Sequence, residues 1–489
     1  MGAGLIQLVV FGAEQLYITG QPQITFFKAV YRRHTNFSRE SIIQPFTGTP
    51  SPGNSTSITI ARNGDLLKDV HISFNPRTLF TLIAHYYYDS SGVYYPPYGN
   101  FYNSTLYKRT ICSDLGHALF EYIDLEIGGN VIDRQYGKWL TIWRDLTEPN
   151  HLGLQEDYSP ESEIDFNDGN VIGYSGTGAT TKYQKMSFTY IGGTIPAYDV
   201  LRYTGVLQNN PLLYLAPTQA IVPMKFWFCR NPGLALPLIA LQYHEVKLNI
   251  KFTSLDKLTI ATFEDESVSN KDLIADYSSM NVYADYIYLD TVERRRFSSD
   301  NHEYLIEQVQ YQRSSGNTIN LNFSHPVKEI IATGTKPMQN NFYDNSQRLW
   351  VVNSPATPYP LIPSDFPSGN FNGIINSTIS MKLLFNGSDR FSARHLSYFT
   401  RQQPYAHHTA SGLSTLYPDS IAVYSFALRP EEHQPSGTCN FSRINTIQLV
   451  LGSLNNTTYD YSNTQIDIYA INYNVLRVSS GMASIAYSN

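Results

Sequence analysis

The chain has 489 residues, 42% of them hydrophobic, which is enough for a real core and too much for global disorder. A net charge of −6 and a sequence pI near 6.1 give no electrostatic footprint for gripping a nucleic-acid backbone. Cys112, Cys229 and Cys439 are widely spaced and form no CxxC pair, which fits a reducing compartment and argues against a disulfide scaffold. Aromatic residues reach 13%, with 37 Tyr and 25 Phe, while charged residues are only 16%. That bias suits pleated, half-buried surfaces and, secondarily, large protein–protein contacts.

The N-terminal segment is apolar but lacks a basic n-region and a cleavage site, and Ile6 stands where a myristoylation signal needs Ser or Thr. Leu5, Leu8, Val9 and Leu16 form an apolar stripe without strand period, so residues 1 to 25 read as an arm with a short amphipathic helix. A strand-like block follows at Ile24–Val30, within a basic cluster of Lys28, Arg32, Arg33, His34 and Arg39. The plain reading of that cluster is a salt-bridged strand end. Ile58-Thr-Ile60, then Asn63-Gly64, then Val70 to Phe74 read like a hairpin with a long connection. Trp139, Ile142, Trp143 and Leu146, stopped by Pro149, predict one short helix packed on a sheet.

Period-2 alternation returns at Val246, Leu248, Ile250 and Phe252, at Ile319, Leu321 and Phe323, and at Ile379, Met381, Leu383 and Phe385. Each pattern sends one face to a core. The longest apolar run, Leu234 to Leu241, is broken by Pro237 and is too short to span a bilayer. Three polar stretches, His85–Asn103, Pro160–Thr181 and Asn353–Asn376, are long loops of the kind that form functional surface. Charge concentrates at Asp290-Thr-Val-Glu-Arg-Arg-Arg-Phe297 between strand patterns, which places a boundary there. An internal echo links Leu125-Glu-Ile-Gly-Gly129 and Asp133-Arg134 to Leu383-Leu-Phe-Asn-Gly387 and Asp389-Arg390. Many short strands, few helices and a repeated motif predict tandem β-sandwiches.

Gly4, Gln7, Leu8 and Val9, then Tyr17 to Lys28 (YITGQPQITFFK) and Tyr31 to Phe37 (YRRHTNF), resemble the opening of the major capsid proteins of nucleocytoplasmic large DNA viruses, of the phycodnavirus and iridovirus type. Further blocks look like the same family in the same order: Asn231–Lys247, Asp285–Gln308, Asn386–Phe391, Tyr424–Leu428, Gln434–Ile444 and Tyr469–Gly481. The resemblance implies an all-β double jelly roll, two eight-stranded sandwiches in tandem with a few short helices and an N-terminal arm. Its expected limits are 1–25 for the arm at the capsomer base, 26–292 for the first jelly roll, 293–302 for a linker and 303–489 for the second. It implies a non-enzymatic shell subunit that trimerises into pseudo-hexagonal capsomers tiling an icosahedral capsid. The implied partners are its own copies, neighbouring capsomers, minor capsid and penton proteins, and the inner viral membrane, with no direct contact to nucleic acid. The implied place is the virion, after synthesis and assembly in the host cytoplasm. Lys28, Arg32, Arg33 and Arg39 become candidate contacts to minor capsid proteins or anionic lipid at the base. Asn103 and Asn376 are candidate glycosylation positions, and the three long loops are the expected outward crown.

Two other readings stand beside it: a minor capsid or penton paralogue, and a lectin-like carbohydrate-binding sandwich. Catalytic and metal motifs fall short. His302-Glu303 has Ile306 where a zinc-protease helix needs a second His. His407-His408 in an extended loop would face opposite sides. Gly173 to Gly178 lacks Gly-Lys-Ser/Thr, Asp165 to Gly169 is one position short of a calcium loop, and no G-x-S-x-G elbow is present. No cofactor or metal is expected.

Overall fold

The computed structural model describes residues 34–76, 79–82, 87–88, 94–95, 107–111, 114–148, 182–187, 194–196, 219–263, 273–335, 379–410, 421–453 and 465–487. The arm at 1–25, Lys28, Arg32, Arg33, Asn103, Asn376, Cys112 and the loops 160–181 and 353–376 lie outside the described residues. Of the loop His85–Asn103, only Tyr87–Tyr88 and Tyr94–Tyr95 are described, and these pair antiparallel.

Eight strands carry the first half: β1 (Phe37–Gln44), β2 (Ser55–Thr59), β3 (Leu66–Phe74), β4 (Phe120–Ile127), β5 (Asn130–Tyr136), β6 (Ala220–Pro223), β7 (Val246–Phe252) and β8 (Asn281–Leu289). They form two sheets, ordered β1-β8-β3-β6 and β2-β7-β4-β5. The second half repeats this with β9 (His302–Ser314), β10 (Thr318–Asn320), β11 (Pro326–Thr335), β12 (Ile379–Phe385), β13 (Ser388–Asp389), β14 (Ile421–Ser425), β15 (Ile447–Ser453) and β16 (Gln465–Ser479). Its sheets run β9-β16-β11-β14 and β10-β15-β12-β13. In both halves the order is first-eighth-third-sixth facing second-seventh-fourth-fifth. That is the winding of a jelly roll, so the chain is a double jelly roll.

Each sandwich has its own apolar core, one built around Ile58, Val70, Ile123, Leu248 and Ile250, the other around Ile330, Ile379, Leu383, Leu449 and Ile468. Alternation explains why. In β7, Val246, Leu248, Ile250 and Phe252 are buried while Lys247, Asn249 and Lys251 are half-buried. The echoed segments are equivalent hairpins: β4 turns into β5 at Gly128-Gly129, and β12 into β13 at Asn386-Gly387. All four turn residues have positive φ, as a tight turn matching strand twist requires.

The expected hairpin at 58–74 does not form. β2 pairs with β7, and β3 pairs with β8 and β6, so the two strands lie in opposite sheets. The connection through Asn63-Gly64 crosses the sandwich instead of folding back. A Cβ at Gly64 would stand 2.6 Å from the Tyr286 Cβ, so glycine permits the close crossing.

Helix α1 (Gly137–Thr147) lies where the apolar spacing predicts it. A second helix, α2 (Thr291–Ser299), occupies the charged stretch expected as a plain linker; Asp290 caps it by accepting from the Val292 and Glu293 amides at 3.0 and 2.9 Å. None of its residues is buried, so it has no apolar period to reveal it. Asp290 followed by Glu293 is the local signal of the helix start.

Candidate functional site

Among the described residues no three His, Cys, Asp or Glu side chains converge as a metal would need. Cys229 and Cys439 are free thiols, the first pushed up in pKa by burial. His302 begins strand β9 and its Nε2 lies 2.8 Å from the Phe297 carbonyl. No helix of the described residues is long and apolar enough to cross a membrane. The most elaborately built feature is the seam where one sandwich is laid on the other.

Helix α1 follows β5 and presents two apolar faces. Leu140 enters the first sandwich's core. Trp139, Ile142, Trp143 and Leu146 instead cover the outer face of the second sandwich, packing with Val309, Ile331, Ile421, Val423, Tyr469 and Ile471. The sheet on which this helix packs therefore belongs to the other half of the chain. The Trp139 ring lies 5.2 Å from Tyr469, Tyr311 lies 5.0 Å from Tyr469, and Tyr136 lies 4.6 Å from Tyr311. Such aromatic contacts stabilise by about 0.5–1.5 kcal/mol beyond area burial. Because one face of β16 meets its own core and the other meets α1, residues Ile466 to Asn474 are buried without interruption.

Charges are locked into the same seam. Lys138 on α1 donates to Asp467 on β16 at 2.5 Å, and Arg313 and the Tyr311 hydroxyl donate to the other oxygen at 2.6 and 2.7 Å. Burial alone would raise the Asp467 pKa, but Lys138 and Arg313 outweigh it and hold the carboxyl well below the usual range. Glu307 on β9 binds Arg230 from the first half at 2.6 Å and Lys328 at 2.7 Å. Arg230 also covers the Trp143 ring at 4.5 Å. The Val309 amide donates to Asp133 of β5 at 3.1 Å, and burial pushes that carboxyl up to about 6. Beneath α1, Arg144 pairs with Asp114 and Asp145, each at 2.6 Å, and the His117 Nδ1 sits 2.9 Å from the Thr141 hydroxyl. Removing one member of such buried pairs strands the other without solvent.

The adjacent histidines part company, though in a helix end rather than an extended loop. His407 closes a helical turn (Gln403–His407) with its Nδ1 3.1 Å from the Leu428 carbonyl. His408 is buried between Glu431, 3.0 Å from Nδ1, and Glu329, 3.0 Å from Nε2. The Glu329 contact is a charge contact without well-directed hydrogen bonding. Burial opposes protonation, but the two carboxylates raise the imidazole to about 9. Of the basic cluster, Arg39 stands on β1, largely exposed and 3.9 Å from Asp285. Sequence reading missed Asp467, Glu307, Lys138 and Arg230; the available signal was a lone ionisable residue inside apolar runs such as QIDIYAI and GKWLTIW.

Comparison with known proteins agrees with this architecture. Residues 25–290 match the family model described as the major capsid protein N-terminus, and residues 293–484 match the large eukaryotic DNA virus major capsid protein. The chain is 38% identical over 510 residues to the major capsid protein of Pyramimonas orientalis virus, with all of both chains covered. It is 34% identical over 520 residues to that of Paramecium bursaria Chlorella virus 1, again across both whole chains. Among solved structures, a chain of the PBCV-1 virus capsid quasi-atomic model superposes with a TM-score of 0.62 at 30% identity, covering 95% of this chain and 100% of that one. By sequence along its whole length and by its repeated jelly-roll winding, the chain belongs to the major capsid protein family of large eukaryotic DNA viruses.

Proposed function

We propose that this chain is the principal shell subunit of a virion, a non-enzymatic protein that forms trimers which tile an icosahedral capsid. The observation that carries the reading is the doubled winding with its buried seam. Two sandwiches of one strand order are fixed side by side, so three copies present six similar units around a threefold axis. Light scattering on the folded protein at micromolar concentration tests it: a trimer mass is expected, and monomer alone overturns it. A penton or minor capsid role is separated by abundance, since the principal subunit dominates a stained gel of purified virions. A sugar-binding role finds little support among the described residues, where Trp139, Trp143 and Trp227 are all buried; Trp350 lies outside them.

The unit limits proposed are 1–25 for an arm, 26–292 and 303–489 for the sandwiches, and 293–302 between them. The long loops form the outward crown in this reading. Supporting it, Tyr107–Ile111, Thr194–Pro196 and Thr259–Phe263 pair into one sheet. These strands come from the β3–β4, β5–β6 and β7–β8 connections, so the three connections meet at one end of the first sandwich. His85–Asn103 and 160–181 belong to the first two of these connections, and 353–376 to the equivalent β11–β12 connection. Surface labelling of intact virions should reach them first; protection until the shell is opened reverses the assigned polarity. Asn103 and Asn376 would carry any glycans. Lys28, Arg32, Arg33 and Arg39 would face minor capsid proteins or the inner membrane, with assembly in the host cytoplasm.

A further inference from the structure

The outer face that α1 covers on the second sandwich exists a second time on the first. In the second, Tyr469 stands opposite Ile331, and Ile331 opposite Val423. In the first, Tyr283 stands opposite His71, and His71 opposite Pro223. The match is one of register as well as order: Ala284 and Ala470, next along each strand, both point into their own cores. Yet Tyr469, Ile331 and Val423 are no more than 1% exposed, whereas Tyr283, His71 and Pro223 are only half-buried. His71 and Tyr283 stack at 5.1 Å and stay half-buried, whereas α1 leaves Tyr469 only 1% exposed. Beside them Asp285 has a buried Oδ1 without a hydrogen-bond partner.

The second sandwich also repeats the covering element. After Asp133-Arg134 comes α1; after Asp389-Arg390 comes a helical run that includes Tyr398–Gln402 and Gln403–His407. Leu140 and Leu396 anchor the two helices in their own cores at 1% and 0% exposure. The far side of α1 is buried, but the far side of the second helix shows Arg401, Gln402 and Tyr405, with Tyr405 87% exposed. Arg394, stacked 4.3 Å over Tyr398, is also exposed. Thus the half-open face carries Asp69 and Asp285 with a histidine–tyrosine stack, and the uncovered helix carries arginine and tyrosine.

We propose that the Tyr398–His407 helix of one copy docks on the Tyr283–His71–Pro223 face of a second copy, repeating between chains the seam that α1 makes within one. This deepens the trimer reading and rests on it. The contact is heterologous, joining unlike surfaces, and in the trimer it alternates with the internal seam around the ring. The chemistry of the two seams differs in the expected sense. The internal one never parts and joins an aromatic and aliphatic layer to fully paired buried charges, while the external one must be soluble before assembly and is more exposed and polar.

Multi-angle light scattering tests it together with circular dichroism. Tyr405→Glu on the helix and, separately, His71→Glu on the face should each raise the apparent trimer dissociation constant about tenfold or more, with the β signature kept. Val292→Glu, solvent-facing at 75% exposure but off both surfaces, should leave the trimer intact. A wild-type protein that is only monomeric removes the trimer reading itself. A wild-type trimer that survives both substitutions overturns this docking surface and leaves the trimer standing. Should Tyr405→Glu lose its fold, a cysteine pair decides. Tyr405→Cys with His71→Cys should give covalent trimers under a short bismaleimide, and each single variant should not. Equal products from double and single variants overturn the proposal.

Discussion

The β9-β16-β11-β14 sheet and the β1-β8-β3-β6 sheet are one surface built twice, and their outer faces have been finished differently. On the second sandwich the face is tyrosine and aliphatic, sealed by α1, with Asp467 and Glu307 neutralised by cations delivered to them. On the first it is tyrosine, histidine, proline and aspartate, half-open, with Arg39 only loosely near Asp285. The edge strands show the same contrast: β1 is exposed at most positions, while β9 is exposed only at Glu303 and Arg313. Backbone topology is therefore indifferent to what lies outside a sheet. The outward side chains are set by the cover each face receives, and a permanent cover permits a continuous apolar layer that an intermittent one does not.

The largest expected effect lies in the sealed face. Trp139→Ala removes the ring between α1 and Tyr469 and should destabilise the folded chain by about 3–5 kcal/mol, read as a lower denaturation midpoint. A loss under 1 kcal/mol would mean the seam contributes little to folding.

Next comes the charge locked beneath it. Asp467→Asn leaves Lys138 buried without its anion and should cost about 3 kcal/mol. The folded carboxyl is held below its ordinary value of 3.8, so its contribution is present above that pH and is lost as pH falls through the lowered value. The gap between variant and wild type should stay constant from pH 5 upwards and close only in strong acid. A gap that already narrows at pH 6 contradicts the ion-pair assignment.

His408 gives a smaller effect with opposite sign in pH. Its folded pKa, about 9 between Glu329 and Glu431, exceeds the ordinary 6.5. Its stabilisation is therefore complete below pH 6.5 and lost as pH rises towards 9. Wild-type stability should fall across that window by no more than about 3 kcal/mol, and His408→Gln should flatten the slope. An unchanged slope in the variant places the titrating group elsewhere.

The smallest effect tests the contrast directly. Tyr283→Ala, the open-face counterpart of Tyr469→Ala, should lower the stability of the isolated chain by about 1 kcal/mol, against about 3–5 for Tyr469→Ala. Equal losses would show that the two faces are equally buried and would erase the comparison.

Much of this was legible in the residues. Alternation at Val246 to Phe252 marks a strand with one buried face, because side chains on a strand point alternately. The i, i+3, i+4, i+7 spacing of Trp139 to Leu146 marks a helix with one apolar stripe, and the Gly128-Gly129 and Asn386-Gly387 echo marks two like hairpins. These are local properties, dictated by backbone geometry within a few residues. The helix at 291–299 was not legible by period, since none of its residues is fully buried and a single apolar side chain, Phe297, packs on the core beneath it. A short polar connection between β2 and β3 can either fold back or cross a sandwich, and only the partner strands β7 and β8, far along the chain, decide which. The same holds for the seam. An apolar stripe on α1 says that something covers it, but only the folded chain decides that the cover is the other sandwich. Asp467, Lys138 and Arg230 become one network because three distant segments exclude water together, and no spacing along the chain encodes that exclusion.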